Sequence, residues 1–202
     1  MLILGYDLES EGLSATEHGI LEVGAILYDT EAKQPLRIYD TFIRPKNPPP
    51  ENYVSPTGIR GEWLMQHGVP LPEALGNVQL MIAAMDPAIV VAHNGTNFDK
   101  PMTIAELERY QIKDHGLASA HWIDSRMDLP FEKEPSSRKL VHIAAEHGIL
   151  NPFPHRAISD VFTMLKVLDH YDFELVLANS KVPLITIRAL ITYEMQKERQ
   201  GA

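Results

Sequence analysis

The sequence predicts an α/β domain with a central mixed five-stranded sheet flanked by helices. Three strand-like segments, residues 2–9, 20–29 and 36–44, follow one another with short connections, which favours an antiparallel meander. Later, helical spacing of apolar residues alternates with two short apolar runs, at residues 88–92 and 122–123. Strands that first meander and then alternate with helices are typical of a mixed sheet covered by helices.

The remaining elements follow from turn residues and apolar periodicity. Residues 45–56 are rich in proline and predict a loop. The predicted helices are residues 58–66, 72–85, 97–110, 137–147 and 156–171. In the third helix we expect Asn97 as the N-cap and Pro101 in the first turn. Residues 182–193 are strand-like. We expect residues 1–170 to form one domain and residues 171–202 an extension packed on it.

Composition limits the classes of function. The chain has 202 residues and a net charge of −9, from 27 acidic and 18 basic residues, which argues against nucleic-acid binding by a broad basic surface. An enzyme that approaches a phosphodiester through metal ions held by carboxylates stays compatible with this charge. The absence of cysteine excludes disulfides and thiolate-bound zinc and favours a reducing, cytoplasmic location. No signal peptide or membrane-spanning run is expected.

Two carboxylates stand at the end of the first predicted strand. Alternation along a strand places Asp7 and Glu9 side by side on one face. Two neighbouring anions repel each other unless a positive group lies between them. The pair therefore indicates either a divalent metal site or a solvated strand end.

Two further acidic positions fall at the starts of predicted helices. Asp99 follows a buried strand, where the helix dipole alone also favours an acidic residue. Asp160 opens an apolar helical stripe, and His155 precedes it in a loop. Each position taken alone also suits an ordinary helix start or surface residue. Together, the four carboxylates suit hard cations such as Mg²⁺ or Mn²⁺, and a nearby histidine can take a proton near neutral pH.

The order of these motifs resembles the DEDDh exonucleases of the RNase H-like superfamily, the group that contains the proofreading (epsilon) subunit of bacterial replicative polymerases. The resemblance covers about residues 2–170. It rests on residues 6–13 (YDLESEGL) with 19–25 (GILEVGA), 92–99 (AHNGTNFD), 140–149 (LVHIAAEHGI) and 155–161 (HRAISDV). The family commonly has Asp-Thr-Glu-Thr-Thr-Gly in its first motif, so Leu8 and Glu11 are departures.

This resemblance implies an RNase H-like exonuclease fold and a role for each motif residue. Asp7, Glu9, Asp99 and Asp160 would hold two divalent ions, Mg²⁺ or Mn²⁺, and His155 would be the general base. The residues expected to contact the terminal nucleotide are Gly12, Leu13, Asn94, Gly58 and Ile59. In the segment that contains Gly58 and Ile59, Thr57 stands where many members of the family have histidine.

The function that this implies is metal-dependent 3′→5′ hydrolysis of single-stranded or frayed DNA, releasing nucleoside 5′-monophosphates. A DNA polymerase or another replication protein is the implied partner, with proofreading or end trimming as the role. One alternative is an exoribonuclease or oligoribonuclease of the same fold. Another is a non-catalytic nucleic-acid-binding or polymerase-docking module, and a weaker one is a purely structural acidic domain.

Overall fold

The computed structural model describes residues 1–83 and 85–180, which form a five-stranded sheet of order β3-β2-β1-β4-β5. The strands are β1 (Leu2–Ser10), β2 (Ile20–Asp29), β3 (Gln34–Phe42), β4 (Ile89–Ala92) and β5 (His121–Asp124). β1, β2 and β3 form an antiparallel meander, whereas β4 pairs in parallel with both β1 and β5. The predicted mixed sheet is confirmed.

Six helices accompany the sheet within the described residues. They are α1 (Gly61–His67), α2 (Leu71–Ile82), α3 (Asp99–Arg109), α4 (Leu140–Glu146), α5 (Ala157–Leu168) and α6 (Phe173–Asn179). The proline-rich segment 45–56 contains neither a helix nor one of the named strands, as predicted. The predicted strand at 182–193 lies outside the described residues.

The sheet is covered on both faces because side chains alternate along its central strand. Leu4, Tyr6 and Leu8 of β1 are buried in one apolar cluster with residues of α2 and α3. Ile3 points into the opposite cluster, which contains the apolar stripe of α5 and also Val176 of α6. The beginning of the predicted extension 171–202 thus packs on the same core, while the domain boundary itself stays a prediction.

Each of the five predicted helix starts differs from the observed start by one to three residues, and α6 was not predicted. Two of these differences have a visible cause. α3 begins at Asp99 with Phe98 as its N-cap and without a side-chain cap, so the expectation that Asn97 caps this helix was wrong. The Asn97 side chain donates instead to Asn94 Oδ1 at 3.4 Å, within a turn in which Asn94 has φ 64°. α1 begins at Gly61, later than predicted, because Gly58 has φ 83° and cannot continue a right-handed helix.

Candidate active site

The carboxyl-terminal half of β1 carries the first two acidic residues toward α5. In the β1–β2 ladder Asp7 lies opposite Gly24 and Glu9 lies opposite Glu22. A Cβ at Gly24 would lie 2.6 Å from the backbone carbon of Ala157, so the first turn of α5 rests directly on this glycine. The absence of a side chain there lets the start of α5 approach the sheet beside Asp7.

Asp160 lies in the first turn of α5 and is held by polar contacts from the preceding loop. The backbone N–H of His155 donates to Asp160 Oδ2 at 3.0 Å. The side-chain amide of Asn151 donates to Asp160 Oδ1, and Asn151 in turn accepts from Ser159 Oγ at 2.7 Å. These contacts orient the carboxylate before any ligand binds.

His155 stands at the rim of the same group. Its backbone has φ 63°, a left-handed conformation that is uncommon for residues other than glycine, and its side chain is exposed. Glu9, His155 and Asp160 each offer a ligand atom, and these atoms all lie within 4.8 Å of one another. The structure therefore brings together residues from the first and third predicted motifs.

Asp99 joins the group through a contact to the backbone of β1. Its Oδ1 accepts a hydrogen bond from the N–H of Leu8 at 3.0 Å, between Asp7 and Glu9. The parallel ladder between β1 and β4 registers at Leu4 and Gly5, so the N–H of Leu8 is left for Asp99. The Asp99 side chain is buried, and the second predicted motif thus meets the first.

The electrostatics of the four carboxylates show that they share one environment. Burial raises the pKa of Asp7 well above its usual range, and the charges of Asp99 and Asp160 raise it further. Burial raises the pKa of Asp99 to about 8, against the lowering effect of the Leu8 N–H. Burial and the charge of Asp160 also raise the pKa of Glu9. Clustered oxygen donors that repel one another in this way fit a hard divalent cation.

The predicted nucleotide contacts in the first motif lie beside this cluster along the chain. Leu13 is 88% exposed. Gly12 packs so tightly on the His18 ring that a Cβ would lie 2.6 Å from Cε1. The His18 Nδ1 accepts from the N–H of Ser14 at 3.0 Å, so this imidazole holds the loop that presents Leu13.

The other three predicted contacts have different surroundings. Asn94 Oδ1 accepts from the Arg126 guanidinium at 3.3 Å, so this side chain is partly engaged. Gly58 is in a turn in which its N–H donates to the Ser55 carbonyl at 3.0 Å. The Ile59 side chain is buried with Leu21 and Leu64. The Ile59 N–H donates to Ser55 Oγ at 2.9 Å and its carbonyl accepts from the Ser55 N–H at 2.8 Å. Ile59 is thus engaged within the protein, and all five contacts stay predictions.

Several residues that shape the site were missed from sequence. Asn151 lies in an irregular loop, and no periodic pattern in the sequence predicts its contact with Asp160. Asp124, at the end of β5, is a further buried carboxylate, and its charge raises the pKa of Asp99. Its oxygens accept from the N–H of Asn94 at 2.8 Å and from Thr96 Oγ1 at 2.8 Å, so it organises the turn before α3. The sequence feature that could have indicated Asp124 was its position at the end of a buried parallel strand.

Comparison with known proteins identifies the family. Residues 4–168 match the family model described as Exonuclease (RNase T). This chain belongs to that exonuclease family. No curated protein sequence matches the chain. Among the described residues, no helix has the length and apolar character that crossing a bilayer requires.

Solved structures of exonuclease I are similar to this exonuclease chain in fold. E. coli exonuclease I in complex with a dT13 oligonucleotide is 16% identical, with a TM-score of 0.69 over 84% of this chain and 40% of that one. The zinc-ion-bound form of the E. coli enzyme with single-stranded DNA is 17% identical, with a TM-score of 0.67 over 83% of this chain and 39% of that one. An ExoI/SSB-Ct complex is 15% identical, with a TM-score of 0.65 over 87% of this chain and 42% of that one.

At these identities the similarity concerns the fold, and it confirms the predicted RNase H-like exonuclease fold. This chain spans about 40% of the length of the exonuclease I structures.

Proposed function

We propose that this exonuclease-family chain is a metal-dependent 3′→5′ exonuclease of the DEDDh type that acts on single-stranded or frayed DNA. The observation that carries this proposal is the convergence of the predicted motifs at the end of β1, where ligand atoms of Glu9, His155 and Asp160 lie within 4.8 Å of one another. The link from Asp99 to the N–H of Leu8 adds the remaining motif to the same place.

The proposed roles follow from position and chemistry. Asp7, Glu9, Asp99 and Asp160 hold two divalent cations, Mg²⁺ or Mn²⁺. Cations bound there supply Lewis-acid activation of water and neutralise charge on a phosphodiester. Asn151 and the N–H of His155 keep Asp160 oriented. The chain's own residues thus set where the scissile phosphate lies.

His155 is the proposed general base because its exposed ring lies at the edge of the carboxylate cluster, open to solvent. The imidazole takes a proton from the attacking water as the new P–O bond forms. The bond from phosphorus to the 3′-oxygen of the preceding nucleotide breaks, and that oxygen is protonated. The products are a nucleoside 5′-monophosphate and a strand shorter by one nucleotide.

The preference for DNA is supported by the fold shared with exonuclease I, which has been solved with dT13. A replication protein as partner agrees with the ExoI/SSB-Ct complex, although that complex concerns the longer protein. The exposed Leu13 offers a surface for the terminal base. An RNA-trimming enzyme of the same fold is the second candidate, since all the residues above would serve either sugar.

The test uses 5′-labelled single-stranded DNA and a matched RNA, each incubated with Mg²⁺ or Mn²⁺. We expect a ladder that shortens from the 3′ end of DNA, is abolished by EDTA, and is absent in Asp160→Ala. His155→Gln should retain cation binding but lose most of the cleavage. Faster cleavage of RNA would favour the second candidate. Binding without cleavage of either strand would leave the non-catalytic module as the better account.

A further inference from the structure

An ion pair between a buried glutamate and a half-buried arginine lies beside the proposed catalytic cluster. Arg156 follows His155 in the chain, and its Nη1 lies 3.4 Å from Glu22 Oε2. Its Nη2 donates to the carbonyl of Thr57 at 2.7 Å, and its Nε donates to the carbonyl of His155. One guanidinium therefore joins β2, the turn that contains Thr57, and the loop that presents the proposed base.

Glu22 is a buried carboxylate of β2 that also accepts a hydrogen bond from the backbone of Ala157 at the start of α5. Its side chain is 2% exposed and lies on the α5 face of β2, opposite Glu9 in the ladder. Within the described residues, its Oε2 makes no hydrogen bond and has Arg156 as its ion-pair partner. A buried ion pair is often no more stabilising than apolar side chains of similar volume. Burying the Glu22 carboxylate costs free energy, so its contact with Arg156 offsets part of that cost and in turn fixes the guanidinium.

The backbone of His155 has a left-handed conformation that the ion pair would hold in place. A non-glycine residue at φ 63° relaxes unless its surroundings maintain it. The N–H of His155 is held by Asp160, and its carbonyl is held by Arg156. Loss of the Arg156 contact would free one side of this residue and let the ring move relative to Asp160.

We propose that Glu22 and Arg156 are a positioning pair, in which Glu22 fixes the Arg156 guanidinium and Arg156 fixes the His155 backbone against the Thr57 turn. This proposal rests on the proposed function of His155. Neither residue of the pair needs to touch the reacting atoms. Because a displacement of about 1 Å can lower a rate about 100-fold, the pair acts on turnover more than on substrate binding.

The test is a double-mutant cycle with Glu22→Gln and Arg156→Gln, measured on a labelled single-stranded oligonucleotide with saturating Mn²⁺. Each single variant should lower kcat by about 10- to 100-fold, with KM changed by less than about threefold. Because Glu22 acts through Arg156, the double variant should be no slower than Arg156→Gln alone. Losses that multiply in the double variant would overturn the proposal.

Two further variants separate positioning from folding. Arg156→Lys keeps a charge beside Glu22 but replaces a fork of donors by one ammonium, so its kcat should lie between wild type and Arg156→Gln. Arg138→Gln breaks an exposed ion pair with Glu134 of 2.7 Å and should leave kcat unchanged. If the fall in kcat of Arg156→Lys and Glu22→Gln is fully explained by a smaller folded fraction, as measured by thermal unfolding, the positioning role is wrong.

Hydrogen exchange supplies a readout that needs no activity. The amide of His155 should exchange faster in Glu22→Gln and Arg156→Gln than in wild type, while core amides of α5 such as that of Leu165 stay unchanged. If wild type cleaves neither DNA nor RNA but the His155 amide still exchanges faster in the two variants than in wild type, the proposed function fails and the positioning contact stands. Equal exchange of the His155 amide in all three proteins would overturn the positioning contact.

Discussion

The carboxylate of Asp99 accepts a hydrogen bond from the backbone N–H of Leu8 at 3.0 Å. The start of α3 is therefore fixed to β1 at the residue that separates the two acidic side chains of this strand. This contact joins residues that are 91 positions apart in the chain. It uses one oxygen of Asp99 and aligns the carboxylate with Asp7 and Glu9. The cluster therefore does not depend on a ligand to bring its members together.

Asp99→Asn should separate cation binding from folding. The asparagine side chain can still accept from the Leu8 N–H, but it removes a negative charge from the cluster. We expect affinity for Mn²⁺, measured by calorimetric titration, to fall by at least about tenfold, with thermal stability equal to or above wild type. The exposed substitution Glu134→Gln is the control and should leave Mn²⁺ affinity unchanged. Unaltered affinity in Asp99→Asn would argue against Asp99 as a ligand.

The raised pKa of Asp99 predicts how cation-free protein responds to pH. Its pKa rises from 3.8 in the unfolded chain to about 8 in the folded one, so between these values the folded protein holds a proton that the unfolded chain releases. The free energy of unfolding contributed by this group must therefore fall as pH rises through this range.

Thermal unfolding in EDTA checks this dependence. The fall in melting temperature from about pH 5 to about pH 8 should be smaller in Asp99→Asn than in wild type. Mg²⁺ or Mn²⁺ should raise the wild-type melting temperature more at the higher pH, because cations bind the deprotonated cluster. Identical slopes in wild type and Asp99→Asn would contradict the raised pKa.

Gly24→Ala should displace α5 from the sheet. The added Cβ would lie 2.6 Å from the backbone carbon of Ala157 and 2.7 Å from the backbone nitrogen of Ile158, and backbone cannot move aside cheaply. We expect a loss of about 1–3 kcal/mol in the free energy of unfolding, measured by urea denaturation, together with reduced cleavage. Gly76→Ala, in α2 with nothing within 4 Å of the new Cβ, should instead stabilise by about 1 kcal/mol.

Asn151→Leu should lower activity without removing any proposed ligand. Leucine has a similar shape but cannot donate to Asp160 or accept from Ser159. Loss of such an orienting contact should reduce cleavage or cation affinity by about 10- to 100-fold. Asn77→Leu removes hydrogen bonds of 3.1 Å to the Glu73 carbonyl and 3.4 Å to Tyr39 Oη at a half-buried position of α2, and it serves as the matched control. Equal activities in the two variants would assign Asn151 to folding alone.

Leu13→Ala tests the predicted contact with the terminal nucleotide. Because Leu13 is 88% exposed, truncation of its side chain should not change the melting temperature. If a base packs on it, KM should rise about tenfold, since burying a leucine contributes roughly 1.5 kcal/mol. Leu80→Ala, at an exposed position of α2, should change neither quantity. An unchanged KM in Leu13→Ala would remove this residue from the substrate site.

Local patterns in the sequence were enough to predict most of the elements. The meander β1–β3 and the short buried strands β4 and β5 follow from β-branched runs and from alternation, which are properties of neighbouring residues. The start of α3 was placed wrongly because the turn before it is set by Asp124, which comes from a different strand. Contacts of this kind leave no periodic trace near Asn97.

The candidate site divides in the same way. Motif order alone predicted the acidic residues and His155, because their residue types and spacing are read directly along the chain. Tertiary structure decided how they are held: Gly24 admits α5, the N–H of Leu8 aligns Asp99, Asn151 orients Asp160, and Arg156 links Glu22 to the loop of His155. These contacts join distant segments through hydrogen bonds and close packing, so they exist only once the chain has folded.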